Sequence, residues 1–377
     1  MTIFGTRPEA IKMAPVIKQL AADPTLTPVT VLTGQHKEML DSAMKAFQIH
    51  ADYNLHLMKQ NQTLTDITVG ALTKLAPIIS KTKPAVILVH GDTTTTLAAT
   101  LAAFYQKVPV GHVEAGLRTY DKYDPYPEEI NRQVTDVISD LYFAPTPKAR
   151  QNLLAEHHDD SHIFVTGNTA IDALKLTVSQ DYHHPVLDQI CRDKKILLVT
   201  MHRRENQGKP MKRALTAIKE VLISRPDLEL VFPVHLSQRV QAIAHEVFDG
   251  VKQAHLTAPL DVIDFHNLAA RSYIILTDSG GVQEEAPSLQ KPVLVLRDTT
   301  ERPEGVAAGT LKLVGTDPAR IKQALTQLLD NSTQYAAMAN AKNPYGDGKA
   351  AERIVKVLHQ FIDKGRGLSW NGSYKFS

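Results

Sequence analysis

The segment Thr277–Glu304, TDSGGVQEEAPSLQKPVLVLRDTTERPE, predicts a strand end, a glycine turn, a helix, a second strand and a polar loop. The apolar run Tyr273–Leu276 leads into it, and Val282–Leu289 has the composition to begin a helix. Pro292–Leu296 is the next apolar run. A strand followed by a helix and another strand is the repeating unit of a parallel α/β sheet.

The glycine turn in this segment is a candidate anion site. Gly280 and Gly281 let a ligand approach the backbone, and first-turn amides such as that of Ser279 suit a phosphate. Glu284 and Glu285 follow one turn later, where a carboxylate can hold a ribose diol, and Arg297 and Arg302 after the next strand can return to the same anion. An ordinary βα turn with a solvated acidic helix start explains the local pattern equally well.

The same alternation of apolar runs and helix-length segments extends along the whole chain. The runs are continuous in Val, Ile and Leu, as in parallel strands covered on both faces, so we expect a doubly wound α/β fold. About six strand–helix units fall on each side of Gly167-Asn168, which predicts two Rossmann-like domains. The expected boundaries are 1–167, 168–348 and 349–377, the last segment being a helix and tail that we expect to pack back on the first domain.

Composition limits the classes of function. The 377 residues carry 42 Lys and Arg against 40 Asp and Glu, so no global basic field for nucleic acid is indicated. A single cysteine, Cys191, excludes an intrachain disulfide and fits a reducing cytoplasm. No apolar run approaches the length of ~20 residues that a membrane span needs. We therefore expect a cytoplasmic enzyme with a local anion site.

Polar and charged residues follow the apolar runs in both predicted domains. In open parallel sheets ligands bind at the carboxyl ends of strands, so this pattern predicts two facing edges with a cleft between them. The stretches are Gly5–Glu9, Thr33–His36, His90–Thr93, Glu114–Arg118, Met201–Asn206, Pro233–His235, Thr277–Gly281 and Arg297–Glu304.

Several of these residues are candidates for chemistry. Arg7 and Lys12 lie near a predicted helix start, where the helix dipole disfavours cations unless an anion binds; a solvated loop is the alternative. Asp92, Glu114 and Glu128 are candidate general acids or bases, although Asp92 can be an N-cap and Glu128 an ordinary first-turn glutamate. His202 with the arginines after it can contact a phosphate, or form a basic solvated loop.

Common cofactor and nucleophile motifs are missing from the sequence. It contains no Walker P-loop, no Gly-x-Gly-x-x-Gly after the first strand, no His-Glu-x-x-His and no Gly-x-Ser-x-Gly. ATP-driven, nicotinamide-dependent, zinc-dependent and covalent mechanisms therefore have no candidate residues, and we expect neither cofactor nor metal.

Together the motifs resemble the non-hydrolysing UDP-N-acetylglucosamine 2-epimerases of bacteria. They occur in order over nearly the whole chain, and that combination is specific. The matching stretches are GTRPEAIKMAPVI (5–17), HGDTTTT (90–96), VEAGLRT (113–119), YPEEINR (126–132), HRREN (202–206), DSGGVQEEAPSLQKPVLVLRDTTERPE (278–304) and NPYGDG (343–348).

The resemblance implies a fold of the glycosyltransferase-B type, a homodimer and UDP in the interdomain cleft. It implies reversible inversion at C2 of the sugar to give UDP-N-acetylmannosamine, a precursor for cell-surface polysaccharide. The reaction passes through anti elimination of UDP to 2-acetamidoglucal and re-addition of UDP, without nicotinamide or metal.

The resemblance also implies roles for single residues. Asp92, Glu114, Glu128 and His202 match catalytic positions. Phe265 matches a position beside the uracil and Glu285 one that holds the ribose. Glu284 is interpreted as helix surface or secondary support. The diphosphate is assigned to Arg7, Lys12, His202, Ser279, Gly280, Gly281 and Arg302.

A second UDP-N-acetylglucosamine activates some family members. Gln35, Arg203 and His235 match residues of that activator site, whereas Glu38 and Asn61 depart from the common pattern. Alternatives to the epimerase are a glycosyltransferase of the same fold, a hydrolysing epimerase and a catalytically silent nucleotide-sugar sensor.

Overall fold

The strands form two parallel sheets, one in each of two units of the chain. The computed structural model describes residues 1–34, 37–59 and 61–363. Unit 1 comprises Met1–Leu176 together with the chain from Tyr345 onward, and unit 2 comprises Thr177–Pro344. These divisions fall beyond the expected 167/168 boundary and before the expected 348/349 boundary, since the helix that begins at Thr169 and the turn at Tyr345 belong with unit 1.

The sheet of unit 1 has the strand order β3-β2-β1-β4-β5-β6-β7, and all its described pairings are parallel. The strands are β1 (Thr2–Phe4), β2 (Thr30–Leu32), β3 (Tyr53–Asn54), β4 (Ile87–His90), β5 (Val110–Val113), β6 (Leu141–Ala144) and β7 (Ile163–Val165). The chain starts in the middle, winds outward through β2 and β3, and returns to β4, which is the doubly wound topology.

The sheet of unit 2 repeats this topology with the order β10-β9-β8-β11-β12-β13, again parallel. Its strands are β8 (Lys195–Thr200), β9 (Leu228–Pro233), β10 (Ala254–Thr257), β11 (Ile274–Thr277), β12 (Val293–Val295) and β13 (Leu311–Leu313).

Helices connect the strands in both units. Short 3-10 turns occur at Asp160–His162, Arg204–Asn206 and Ala286–Leu289. The helices of unit 1 are α1 (Arg7–Ala22), α2 (Lys37–Ala46), α3 (Leu64–Thr82), α4 (Thr94–Tyr105), α5 (Glu128–Ile138), α6 (Pro147–Ala155) and α7 (Thr169–Thr177). Those that follow are α8 (Pro185–Asp188), α9 (Lys209–Ile223), α10 (Gln238–Phe248), α11 (Val262–Arg271), α12 (Gly280–Glu285), α13 (Pro303–Ala307), α14 (Pro318–Asp330), α15 (Ser332–Ala339) and α16 (Ala350–Asp363).

The predicted α/β class is therefore confirmed, and each expected strand is present. The strand β3 was not predicted, because its two residues carry a tyrosine and an asparagine rather than an apolar run. Buried strand bodies explain why the prediction otherwise succeeds: Ile3, Phe4, Leu197 and Val199 are completely inaccessible to solvent. A strand covered on both faces must be apolar at every position.

The last described helix, α16, belongs to unit 1 and packs against α1. The carboxylate of Asp172 accepts hydrogen bonds from the first-turn amides of Ala350 and Ala351 at 3.2 and 2.9 Å. At the other end His359 Nε2 lies 2.6 Å from Asp23 Oδ2. Gly167 and Gly346 lie back to back where this segment enters, since a Cβ built on Gly346 would lie 3.1 Å from Gly167 Cα.

Candidate active site

The carboxyl end of β5 carries the candidate acid Glu114. Its backbone has a positive φ of 72°, which turns the chain out of the sheet, and its side chain is 10% exposed. The carboxylate forms an ion pair with Lys12 and accepts a hydrogen bond from Asn168 Nδ2 at 3.0 Å. The structure therefore brings Lys12 of α1 to a candidate acid rather than leaving it in solvent.

Asp92 follows β4, the neighbouring strand. Thr93, and not Asp92, caps α4 by accepting a hydrogen bond from Thr96 N, so the N-cap alternative does not apply to Asp92. Arg132 Nη2 lies 2.5 Å from Asp92 Oδ2. Burial raises the pKa of the Asp92 carboxyl, the Arg132 guanidinium opposes this rise, and the negative charge of Glu114 adds to it.

His90, the last residue of β4, lies beside Glu114. Its Nε2 is 3.9 Å from Glu114 Oε2, and the residue is 3% exposed. Neither ring nitrogen has a hydrogen-bond partner within the described part of the chain. Burial lowers the pKa of His90 to about 4, so the imidazole is neutral near pH 7.

Glu9 links the loops after β1 and β4. Its carboxylate accepts hydrogen bonds from the amides of Gly5 and Thr6 at 3.0 and 2.8 Å, and from the hydroxyls of Thr93 and Thr96 at 2.7 and 3.2 Å. Burial raises its pKa, although these hydrogen bonds oppose the rise. Arg7 begins α1 two residues earlier and is exposed.

Glu128 begins α5, as predicted, and is half-buried. No ion pair or hydrogen bond to its side chain occurs among the described residues. Its neighbour Glu129 is completely buried and accepts hydrogen bonds from the amides of Thr119 and Tyr120, each at 3.0 Å. Glu129 thus anchors the loop that precedes α5, while Glu128 is left available for a ligand.

In unit 2, Asp278 organises the loops after β8 and β11. It is completely buried, and it accepts hydrogen bonds from the amides of His202 and Arg203 and from Asn206 Nδ2 at 2.9 to 3.1 Å. The imidazole of His202 remains 39% exposed, with Nδ1 3.6 Å from Asp278 Oδ1. The local fold therefore presents His202 at the carboxyl end of β8.

Two arginines lie over the glycine turn. A Cβ built on Gly280 would lie 3.7 Å from Nη2 of both Arg203 and Arg302. Arg302 is fixed by an ion pair with Glu284, whose side chain is only 3% exposed. Glu284 is therefore a buried support and not helix surface. The amide of Ser279 donates to Thr277 Oγ1 at 2.9 Å, so it is already engaged within the protein.

His266 contacts both Glu285 and Phe265. His266 Nε2 is 3.3 Å from Glu285 Oε2, and its Nδ1 is 2.6 Å from Thr177 Oγ1. Phe265 is partly buried at the start of α11, with its ring centroid 6.4 Å from that of His266. Arg297, by contrast, points to Glu205, with Nε 3.1 Å from Glu205 Oε1.

The three activator candidates have different surroundings. Gln35 lies outside the described residues. His235 is exposed and stacks on His202 with a ring-centroid distance of 5.7 Å. The guanidinium groups of Arg203 and Arg302 both lie beside Gly280. Two of the three candidates thus lie beside residues assigned to the substrate diphosphate.

Sequence reasoning missed the residues that hold the candidates in place. Arg132, Asn168, Asp278 and His266 contact them through tertiary structure, so no local pattern identified them. Arg132 and Asp278 lie inside two of the motifs named above. The one signal that could have distinguished them is a charged residue at a position where the sequence predicts burial.

Comparison with known proteins identifies the family. The sequence model of the family described as UDP-N-acetylglucosamine 2-epimerase matches residues 18–359. The Bacillus subtilis UDP-N-acetylglucosamine 2-epimerase is 57% identical over 358 residues, covering 95% of this chain and 94% of that protein. This chain belongs to the UDP-N-acetylglucosamine 2-epimerase family. The resemblance inferred from the motifs is therefore confirmed.

Solved structures of the epimerase family have the same fold. The Neisseria meningitidis UDP-GlcNAc 2-epimerase bound to UDP-GlcNAc has a TM-score of 0.85 and 49% identity, covering 95% of this chain and 99% of that chain. A Staphylococcus aureus MnaA–UDP co-structure has a TM-score of 0.87 and 50% identity, covering 97% of each chain. The expected glycosyltransferase-B type of fold is confirmed by these similarities.

No described helix combines the length and apolar character needed to cross a membrane. In the part of the chain that the structure describes, no three His, Cys, Asp or Glu side chains form a group that could hold a metal ion.

Proposed function

We propose that this member of the epimerase family interconverts UDP-N-acetylglucosamine and UDP-N-acetylmannosamine by elimination and re-addition of UDP. A carboxylate removes the proton from C2 while the C1–O bond to UDP breaks, which leaves a C1=C2 double bond in 2-acetamidoglucal. UDP then bonds to C1 again while a proton is delivered to C2 from the opposite face. Atoms and charge balance, since UDP and the proton are both returned.

The pair Asp92 and Glu114 carries this proposal. Both acids are partly buried at the ends of adjacent strands, with side chains 26% and 10% exposed, and each is paired with a cation, Arg132 for Asp92 and Lys12 for Glu114. Their environments differ, because the pKa of Asp92 is raised by burial while Glu114 lies between Lys12 and Asn168. Carboxyl groups with different environments suit an acid and a base, each worth about 10²–10⁴-fold in rate.

Departure of UDP needs positive charge at the diphosphate. Arg203 and Arg302 converge on Gly280, and His202 is exposed at the adjacent strand end. Guanidinium groups match phosphate oxygens bidentately, and preorganised charge at a leaving group is a large source of catalysis. We assign the ribose to Glu285 and the uracil to Phe265. Glu128, Arg7 and Lys12 complete the sugar and diphosphate contacts.

The experiment that tests the reaction is incubation with UDP-N-acetylglucosamine in D₂O, followed by NMR of the sugar. We expect a mixture of gluco and manno nucleotide sugars that carry deuterium at C2. Deuterium enters because the proton taken from C2 exchanges with solvent before re-addition. Protium retained at C2 in both sugars would contradict the mechanism.

The same spectra distinguish the alternatives. Free N-acetylmannosamine with UDP as the main product identifies a hydrolysing epimerase. Transfer of the sugar to an added acceptor, with no exchange at C2, identifies a glycosyltransferase. Binding without turnover identifies a nucleotide-sugar sensor.

We further propose that the enzyme acts as a homodimer. Large apolar side chains are exposed on the neighbouring helices α3, α4 and α5, including Val69 at 56%, Phe104 at 58% and Val137 at 73%. An exposed apolar surface of this kind fits a contact with a second copy. Light scattering after size exclusion measures the mass directly, and a mass near that of one chain would contradict this proposal.

Two expectations stay predictions. One is activation by a second substrate molecule at Gln35, Arg203 and His235, and the other is a cytoplasmic location.

A further inference from the structure

A buried charged network lies beneath the two candidate acids and includes none of the residues assigned above. His112 is in the middle of β5 and Asp136 is on α5, and both are completely buried. His112 Nδ1 lies 2.6 Å from Asp136 Oδ1. Its Nε2 lies 2.7 Å from the Gly91 carbonyl oxygen. The imidazole thus bridges α5 and the turn that carries Asp92.

The partners of His112 determine where its protons are. A carbonyl oxygen accepts hydrogen bonds and cannot donate, so Nε2 carries a hydrogen and donates to Gly91. Asp136 Oδ2 accepts hydrogen bonds from Arg118 Nη2 at 2.7 Å and from the Gly116 amide at 3.2 Å. Burial raises the pKa of Asp136, but His112 and Arg118 lower it by more, so the net pKa is below its usual value.

The Arg118 guanidinium and the Gly116 amide both donate to Asp136, which suits a carboxylate. A carboxylate can accept but not donate, so Nδ1 of His112 carries a hydrogen too. With both nitrogens protonated the ring is an imidazolium, a full positive charge in a completely buried place. The network is balanced overall, because Arg118 also pairs with Glu156 at 2.6 Å. The charges are His112 and Arg118 against Asp136 and Glu156.

The position of His112 relates this charge to both acids. Gly91, which accepts its hydrogen bond, directly precedes Asp92, and Glu114 lies two residues after His112 on the same chain segment. A Cβ built on Gly91 would lie 3.7 Å from Glu114 Oε1, so the Glu114 carboxylate lies against the same glycine. Gly91 has a positive φ of 66°, a conformation that favours glycine.

We propose that His112, held as an imidazolium by Asp136, is a positioning residue for Asp92 and Glu114. It fixes the turn after β4 through the Gly91 carbonyl, and its charge favours the ionised forms of the two carboxyls. The role in turnover rests on the proposed function, whereas the protonation of the ring does not.

Other charges also face these carboxyls and remain in the variants below. Arg132 of α5, Lys12 of α1 and the opposing acid Glu114 act on Asp92. Lys12 and the neutral His90 act on Glu114. Removing the charge of His112 therefore removes one cation out of several, and we expect a shift in pH dependence rather than complete loss of activity.

The test uses His112→Gln and Asp136→Asn. The first variant keeps a side-chain donor for the Gly91 carbonyl but has no charge, and the second keeps the shape of the aspartate side chain but no longer stabilises an imidazolium. In His112→Gln we expect the pH limb of kcat/KM that reports Asp92 or Glu114 to move to higher pH by about one unit, because loss of a nearby cation raises a carboxyl pKa. In Asp136→Asn the loss of the aspartate charge opposes the loss of the imidazolium, so we expect a smaller shift in the same direction, since His112 is the nearer of the two to Gly91. His245→Gln is the control, since His245 on α10 is exposed and pairs with Asp249, the residue after that helix.

A second measurement does not depend on turnover. In protein labelled with ¹⁵N-histidine, we expect one ring, identified by its loss in His112→Gln, to show protons on both nitrogens at pH 7. A ring protonated on one nitrogen at that pH, or pH profiles of folded variants that superimpose on the wild type, would overturn the proposal. If His112→Gln does not fold, Asp136→Asn supplies the pH profile, and the ring is identified as the one that changes from two protons to one in that variant. An inactive wild type would refute the proposed function, while the NMR titration would still decide the charge on His112.

Discussion

Replacing Arg302 by Met should destabilise unit 2 and weaken UDP binding together. Arg302 forms an ion pair with Glu284, whose side chain is 3% exposed against 18% for the arginine. Removing one partner of a buried ion pair costs about 3–5 kcal/mol, and the partial exposure of Arg302 favours the lower end, about 3 kcal/mol. Loss of one charged hydrogen bond to the diphosphate, about 2 kcal/mol, corresponds to a Kd about 30-fold higher.

Glu284→Gln separates the two effects. The amide keeps the shape of the side chain and can accept a hydrogen bond from Arg302 Nε, so we expect a loss of about 1 kcal/mol in stability. UDP binding should be unchanged or tighter, because the guanidinium loses the negative partner that competes with the diphosphate. The double variant should recover about 2 kcal/mol relative to Arg302→Met, since no buried carboxylate remains, while its UDP binding stays weak.

Urea unfolding followed by far-UV circular dichroism measures the stabilities, and calorimetric titration with UDP measures the Kd. Lys322→Met is the matched control. Its ion pair with Glu220 is exposed, at 43% and 52%, so we expect a change below about 1 kcal/mol. The reasoning is refuted if Arg302→Met costs no more than this control, or if the double variant is no more stable than Arg302→Met.

Three further predictions concern single residues. Asp92→Asn and Glu114→Gln should each reduce turnover by about 10²–10⁴-fold while calorimetry still detects UDP binding; unchanged turnover in both would remove them from the acid–base set. The pKa of His90 is about 4 when folded against 6.5 in the unfolded chain, so protonation favours unfolding and stability falls as pH decreases through that window, by about 3 kcal/mol at most. In His90→Asn the urea midpoint should therefore change less with pH between these two values than in the wild type. An equal change with pH in both proteins would contradict this. Gly280→Ala should leave thermal unfolding unchanged, because its Cβ meets neighbours at an ordinary 3.7 Å, yet raise the Kd for UDP by filling the space between two guanidinium groups; equal affinity would exclude a diphosphate there.

The architecture could be predicted from the sequence because parallel strands that are buried on both faces carry an apolar residue at nearly every position. The sequence also predicted that the candidate catalytic side chains follow the carboxyl ends of strands, and the structure places Asp92, Glu114 and His202 there. The pattern was less informative about burial at single charged positions. Glu284 and Glu285 are adjacent in sequence, but one is 2% exposed and paired with Arg302 while the other faces His266.

The partners of the candidate acids could not be predicted, because long-range pairing selects them. Arg132 reaches Asp92 across 40 residues of chain, and Asn168 reaches Glu114 across 54. Each looks like an ordinary polar residue in its local context, Arg132 in the second turn of a helix and Asn168 just before one. Their roles follow from the order of the strands, which places β4 and β5 side by side.

Both units use one buried carboxylate to join the loops at the point where the strand order reverses. In unit 1 this point lies between β1 and β4, and Glu9, in the first turn of the helix after β1, accepts hydrogen bonds from Thr93 and Thr96 at the start of the helix after β4. In unit 2 it lies between β8 and β11, and Asp278 of the second loop accepts hydrogen bonds from amides of the first. Loops at such a crevice diverge and leave room for a ligand, so they lack backbone ladders to hold them. A buried acid that accepts several hydrogen bonds takes the place of backbone hydrogen bonds between the loops. Separating the loops would leave the carboxylate buried without its hydrogen-bond donors, which costs free energy. The segments at the carboxyl ends of the two sheets are therefore held together in the same way, although the acid comes from opposite sides of the crevice.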